Sequence, residues 1–86
     1  MKIVALPIEA IVSFTGQNKP RPHRFRYRED GGWKTIHIDR ILKTEERNIA
    51  GSPSFLYCCQ SQIDGVMKLY ELRYSIKECR WNLYKI

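Results

Sequence analysis

The sequence has 86 residues, of which 43% are hydrophobic and 28% charged, so we expect one small domain over residues 1–86. This composition argues against a disordered chain, and so short a domain leaves little room for a deep substrate cavity. Fifteen Lys and Arg against nine Asp and Glu give a net charge of +6, which favours anionic partners such as nucleic acid, a membrane surface or an acidic protein.

The longest apolar run at the start of the chain, residues 3–6, is too short to cross a bilayer, and no signal-peptide pattern accompanies it. We therefore expect a cytoplasmic protein without membrane contact. Three cysteines, Cys58, Cys59 and Cys79, are an odd number without CxxC spacing, which predicts reduced thiols.

Short runs rich in β-branched and aromatic residues, separated by turn signals, predict strands along the whole chain. The predicted strands cover residues 2–6, 8–14, 23–28, 33–38, 55–61, 66–74 and 79–86. Pro7 stops or bends the first run, because proline is tolerated only at strand edges, strand starts or bulges. No window of about a dozen residues has the apolar spacing of an amphipathic helix.

Loops or turns are predicted wherever glycine, proline and asparagine interrupt these runs. Residues 15–22 and 48–54 are expected to be loops, and residues 29–32, 63–65 and 75–78 turns. Residues 39–46 are ambiguous between a strand and a short helical turn, since their good helix formers include little β-branching. The structure of residues 39–54 is therefore left open.

If the first two runs, separated only at Pro7, are taken together, about six short strands are joined by turns. Without crossover helices, they predict an all-β, antiparallel meander. So small a sheet has two faces and one thin core, so we expect a strongly bent sheet or a small partly open barrel. The core is expected to use most of the large aromatic side chains. Those assigned to it are Phe14, Phe25, Trp33, Phe55 and Trp81 with Leu83, whereas Tyr70, Tyr74 and Tyr84 are expected nearer the surface.

The segment 19–28 (KPRPHRFRYR) carries five basic residues and no acidic one. Its alternation predicts a strand with His23, Phe25 and Tyr27 on one face and three arginines, Arg24, Arg26 and Arg28, on the other. Same-face residues lie about 6.5–7 Å apart, which is similar to the phosphate spacing along a nucleic-acid strand. Guanidinium groups bind phosphate through two hydrogen bonds.

The sequence thus predicts a nucleic-acid-binding site without strong sequence preference. Its six residues are Lys19, Arg21, Arg24, Arg26, Arg28 and Lys34. Two other interpretations stay open: the arginines form a solvated outer face that prevents edge-to-edge association, or the domain docks an acidic protein by its basic face or by strand addition.

Catalytic, metal and cofactor sites find little support. His23, His37 and the three cysteines lack the spacing of a structural zinc site, and no GxGxxG, P-loop or HExxH motif is present. A thiol enzyme that uses one of the cysteines would need an exposed thiol of depressed pKa. We therefore expect a non-enzymatic binding module without metal or cofactor.

Several landmarks spread over nearly the whole chain resemble a small bacterial family of domains of unknown function. They are Pro7-Ile8-Glu9, Phe25-Arg26-Tyr27, Trp33, Ile36-His37-Ile38-Asp39-Arg40, Tyr57, Tyr70-Glu71-Leu72 and Arg80-Trp81-Asn82-Leu83-Tyr84. Some members of that family are encoded near Y-family translesion DNA polymerases. The resemblance implies an intracellular β-rich accessory domain with a link to DNA repair, and it implies no known active site.

Overall fold

The structure is a computed structural model that describes residues 1–16 and 19–86. The described chain contains eight β-strands. They are β1 (Ile3–Pro7), β2 (Glu9–Ser13), β3 (Arg21–Glu29), β4 (Gly32–His37), β5 (Arg40–Ile49), β6 (Ser52–Ile63), β7 (Val66–Ser75) and β8 (Arg80–Lys85). No helix in the described ranges is long and apolar enough to cross a membrane.

The strands form two antiparallel sheets, and neither sheet closes into a barrel. The five-stranded sheet has the order β1-β8-β7-β6-β5, and the three-stranded sheet has the order β2-β3-β4. The predicted all-β, antiparallel fold is confirmed. The structure differs in having eight strands in two sheets, and in placing β1 beside β8 rather than beside its neighbour in sequence.

Two corners, each one or two residues long, pass the chain from one sheet to the other. Between β1 and β2, the Ile8 N–H donates to the Trp81 carbonyl (3.2 Å). Between β4 and β5, the Ile38 N–H donates to the His23 carbonyl in the three-stranded sheet (3.0 Å), and the next N–H, of Asp39, donates to the Gln60 carbonyl in the five-stranded sheet (3.0 Å). The chain therefore changes sheets without a loop.

The segment that the sequence left open is a strand and a tight turn. β5 pairs with β6 from Arg40↔Gln60 to Ile49↔Ser52, with one irregularity after Ile41. This long ladder outweighs the helix propensity of residues 42–46, because cross-strand pairing and burial dominate over intrinsic preference. Of the predicted loop at 48–54, only Ala50 and Gly51 lie outside the strands.

The predicted loop at 15–22 is shorter in the structure, where β3 already begins at Arg21. Residues 17 and 18 of that prediction lie outside the described residues. Pro22 falls within β3 opposite Val12, on a strand whose other edge is first bonded at His23, the carbonyl of which accepts from the Ile38 N–H. A proline can occupy such a position because no partner needs its missing N–H.

The core lies between the two sheets. Phe25 and Ile36 from the three-stranded sheet meet the buried side chains of the five-stranded sheet, and the rings of Phe25 and Tyr70 lie 5.5 Å apart. The core members are Phe25, Ile36, Phe55, Tyr57, Cys59, Tyr70, Leu72 and Leu83. Trp81 packs beside them, with its ring 5.3 Å from that of Tyr57.

Three aromatic residues differ from the predicted core. Phe14 and Trp33 are 65% and 46% exposed, whereas Tyr70 is fully buried. Tyr70 lies opposite Cys59 across the β6–β7 ladder, so the register turns both side chains inward. Trp33 lies opposite Arg28, on the outer face of its sheet. Ring size therefore predicts burial less well than strand register does.

Buried hydroxyl groups join the sheets through hydrogen bonds. Ser61 donates to the His37 carbonyl (2.7 Å), so the Tyr70 hydroxyl donates to Ser61 Oγ (2.5 Å). The Tyr57 hydroxyl donates to the Pro20 carbonyl. Burial raises the pKa of both tyrosines, which keeps these hydroxyls protonated as donors.

The turn between β5 and β6 carries a conformational cost at Ala50. Its φ is +50°, and the following Gly51 has φ +79°, as in a type I′ hairpin turn. The other two-residue hairpins place aspartate at this position, Asp30 and Asp64. An alanine in the left-handed region is strained, whereas asparagine adopts it readily.

We expect Ala50→Asn to raise the free energy of unfolding by about 0.5–1 kcal/mol, because it removes this strain. Urea denaturation monitored by tryptophan fluorescence measures the change. Ala50→Val is the matched control: its branched side chain is worse in the left-handed region, so stability should fall. Equal stability of the two variants would show that the turn is not strained at Ala50.

Candidate nucleic-acid interface

A β-bulge arranges the side chains of β3. Ile11 pairs with Arg24 but Val12 pairs with Pro22, so His23 is an extra residue in the ladder. Pro22 and Phe25 are both buried, whereas His23 and Arg24 between them are both exposed. Simple alternation predicts that His23 shares the inner face with Phe25. The bulge makes this prediction wrong. Instead, the Nε2 of His23 lies 2.8 Å from Ser13 Oγ at the surface.

Beyond the bulge, regular alternation places three arginines on the outer face of the three-stranded sheet. Arg24 lies opposite His37, Arg26 opposite Thr35 and Arg28 opposite Trp33. We call the set Arg24, Arg26, Arg28 and Trp33 the arginine face. All four residues are exposed. The three guanidinium groups, which bind phosphate in other proteins, therefore face solvent.

The indole ring of Trp33 packs against two of these arginines, Arg26 and Arg28. The guanidinium carbons of Arg26 and Arg28 lie 4.1 and 5.0 Å from the centre of its ring. Guanidinium groups stack on indole through cation–π attraction, and the N–H groups at the edge of the plane stay available to an anion. Trp33 therefore orders the two side chains and lowers the entropy that they would lose on binding.

Glu9 on β2 already occupies one anion position on this face. The Nε and Nη2 atoms of Arg26 each lie 2.8 Å from Glu9 Oε1. The side chains of Arg26 and Glu9 are 47% and 62% exposed, so the pair is screened by water and adds little to stability. The contact shows that Arg26, while over Trp33, still binds an oxyanion.

A shallow groove of about 400 Å³ runs beside this ion pair. It is lined by Glu9, Ala10, Ile11, Arg24, Phe25, Arg26 and Thr35. Ile11 is 55% exposed and contributes an apolar surface beside Arg24. The groove therefore combines guanidinium groups with an exposed apolar side chain.

Lys34 lies apart from the arginine face. It pairs across the ladder with Tyr27, on the other side of the sheet, and its Nζ contacts Asp64 Oδ2 at 2.5 Å. This hydrogen bond raises the pKa of Lys34. Lys34 is thus engaged in linking the β3–β4 and β6–β7 hairpins, and the structure does not bring it together with the arginines.

Lys19 and Arg21 lie at the other end of β3, in a cleft of about 520 Å³ that we call the basic cleft. Its lining residues are Thr15, Lys19, Pro20, Arg21, Ile41, Leu42, Lys43 and Thr44. Lys19 Nζ also lies 5.6 Å from the centre of the Phe55 ring. The six residues predicted from the sequence thus divide into the arginine face, the basic cleft and the Lys34–Asp64 pair.

Sequence reasoning did not assign Trp33, Glu9 or Lys43 to the site. Trp33 shares the phase of Thr35 and His37 along its strand, so the alternation itself indicated an outer position. Glu9 and Lys43 have no comparable signal, because their positions depend on which strands pair.

The three cysteines are free and differ in exposure. Cys59 is fully buried, and burial raises the pKa of its thiol to about 12, which is the opposite of what a catalytic thiol needs. Cys79 is exposed and Cys58 is half-buried. In the part of the chain that the structure describes, no three His, Cys, Asp or Glu side chains converge as metal ligands would.

No protein-family model matches this chain, and no curated protein or solved structure matches it either. The resemblance to the family of domains of unknown function therefore stays a prediction.

The thiols should differ strongly in reactivity. We expect iodoacetamide at pH 8 to alkylate Cys79 first and Cys59 only after unfolding, because Cys59 is both inaccessible and protonated. Mass spectrometry of proteolytic peptides gives the rate at each site, and the same experiment in urea supplies the control of equal access. Rapid alkylation of Cys59 in the folded protein would contradict the packing described here.

Proposed function

We propose that this protein is a non-enzymatic module that binds the phosphate backbone of nucleic acid, without strong sequence preference, through the arginine face. The observation that carries the proposal is the ordering of Arg26 and Arg28 by Trp33, with Arg24 two residues before Arg26 on the same outer face. Outward alternate residues lie about 6.5–7 Å apart, a spacing close to that of successive phosphates.

The alternative is that the arginine face is only a solvated outer surface. The charge distribution favours the proposed function over this alternative. Four acidic and nine basic residues lie in residues 1–43, which include the arginine face, so this half carries an excess of +5 against +1 for the rest of the chain. Repulsion among three neighbouring arginines costs stability. Arg24 and Arg26 are paired with strands on both sides, so their charges protect no free strand edge. A phosphate backbone offsets that repulsion at each position.

We place the module in a reducing compartment such as the cytoplasm, which the three free cysteines support. If the resemblance to the family found near translesion polymerase genes holds, its biological role is that of an accessory to DNA repair. An acidic protein that docks on the same face is the second candidate, and the experiment below separates the two.

The first test compares the wild-type protein with Arg24→Ala/Arg26→Ala/Arg28→Ala by fluorescence anisotropy, with labelled single- and double-stranded oligonucleotides at low and moderate salt. We expect micromolar binding that weakens with salt, and the three phosphate contacts of the arginine face should contribute about −2 to the slope of log K against log salt on a single strand. The triple variant should bind at least tenfold more weakly.

The matched control is Lys68→Ala/Lys77→Ala/Arg80→Ala, which removes the same charge from exposed positions on the five-stranded sheet and its last turn. It should keep most of the wild-type affinity. No binding at low salt, or equal losses in the two triple variants, would overturn the proposal and favour a protein partner. Circular dichroism establishes that each variant is folded.

A second test removes the charge of the Glu9 carboxylate, which already contacts Arg26. We expect Glu9→Gln to bind oligonucleotides about two- to fivefold more tightly at low salt, because Arg26 loses its internal partner and one repulsive charge disappears. Glu78→Gln, which neutralises an exposed carboxylate in the β7–β8 turn, serves as the charge control. If both variants gain equally, the gain reflects net charge rather than competition at Arg26.

A further inference from the structure

The basic cleft opens because β3 and β5 separate at the second corner. The hydrogen bond from Ile38 to the His23 carbonyl is the last link between β3 and the chain that continues into β5. After it, Asp39 and β5 bond to β6 instead. Pro20 and Pro22 have no N–H group, so this edge of β3 cannot extend the ladder towards β5. A wedge therefore remains between the start of β3 and residues 41–44.

The chemistry of this wedge suits an anionic chain. Lys19, Arg21 and Lys43 supply three positive charges, and Thr15 and Thr44 supply hydroxyl groups. None of the lining residues that the structure describes is acidic. Lys43 contacts Glu45 outside the cleft at 3.3 Å, in a pair whose lysine is 66% exposed and which water screens.

Arg21 connects the cleft with the arginine face, because it lines the cleft and belongs to the same strand as the three arginines. From Arg21 to Arg28 the strand rises about 23 Å, at about 3.3 Å for each residue. Because the outward arginines match the spacing of phosphates, this length corresponds to roughly four nucleotides, at the lower end of the range for small β-domains.

We infer that the ligand is a single strand of nucleic acid, whose backbone follows β3 along the arginine face and whose end enters the basic cleft. This inference rests on the proposed function and adds the class of ligand and a second contact site. A cleft of about 520 Å³ is of the size that holds a small ligand, and one nucleotide at the end of a single strand is such a ligand, whereas the two paired strands of a duplex are not. Exposed Leu42 and half-buried Ile41 supply apolar contacts for a base within it.

The test compares oligothymidylates of about three and about ten nucleotides, and a hairpin duplex, by fluorescence anisotropy. The cleft variant is Lys19→Ala/Arg21→Ala/Lys43→Ala, and Arg21→Gln/Lys43→Gln is a milder version that leaves Lys19 over Phe55. The Ala variant at Arg24, Arg26 and Arg28 and the Lys68, Lys77 and Arg80 control are measured in parallel.

We expect the wild-type protein to bind the longer single strand at least tenfold more tightly than the short one or the duplex. The cleft variants should lose this advantage, and the Lys19/Arg21/Lys43 variant should lower the salt slope by about 2 units for the longer strand while binding the short one as before. The control variant should behave as the wild type does.

Other outcomes separate the inference from the proposed function. If the cleft variants match the control while the arginine-face variant loses binding, the inference is wrong and the proposed function stands. Equal affinity of the wild-type protein for duplex and single strand also overturns the inference. If no variant changes the affinity, or nothing binds, both are wrong.

Discussion

The structure depends on the exchange of hydrogen-bond partners at the two corners. Adjacent N–H groups of Ile38 and Asp39 donate to different sheets, and Ile8 makes the corresponding bond at the other corner. These contacts hold two small sheets face to face, so that a short chain can bury Phe25 and Ile36 against Tyr70 and Leu72. Without the corners, each sheet would expose one apolar face to water.

Hydrogen bonds of hydroxyl groups inside the core also hold the two sheets together. Ser61 binds the His37 carbonyl one residue before the second corner, and Tyr70 donates to Ser61. The Tyr57 hydroxyl donates to the carbonyl of Pro20, the residue that precedes β3. The hydroxyls of Ser61, Tyr70 and Tyr57 each bond to a group of a neighbouring element, as buried polar groups require. The strand that carries the arginines is therefore fixed at its beginning and along its inner face.

This rigidity explains how one face can hold three arginines in a row. Inner residues of β3 are fixed by the core, so its outer side chains start from defined positions. Trp33 and Glu9 then limit the repulsion and the disorder of the arginines, at the cost of exposing an indole ring. Exposed aromatic rings beside clustered positive charge are found on the surfaces of proteins that bind single-stranded nucleic acid, and the proposed function is based on this likeness.

Local pattern in the sequence predicted most of the strands and their all-β, antiparallel arrangement, because turn residues and alternation act over a few neighbours. The Asp64-Gly65 hairpin and the outward row of Arg24, Arg26 and Arg28 follow from such short-range rules. Alternation failed at His23, where a bulge depends on the partner strand. Residues 39–46 stayed ambiguous because their strand exists through pairing with β6.

By itself, therefore, the sequence determined the class of fold, the excess of positive charge around β3 and the phase of its arginines. Only the tertiary structure decided that Lys34 pairs with Asp64, away from the arginine face, and that Glu9 contacts Arg26 on that face. It also decided that Lys19 and Arg21 share a cleft with Lys43. These placements depend on which distant strands become neighbours. That choice minimises the free energy of the whole packed core, and no local pattern of residues encodes it.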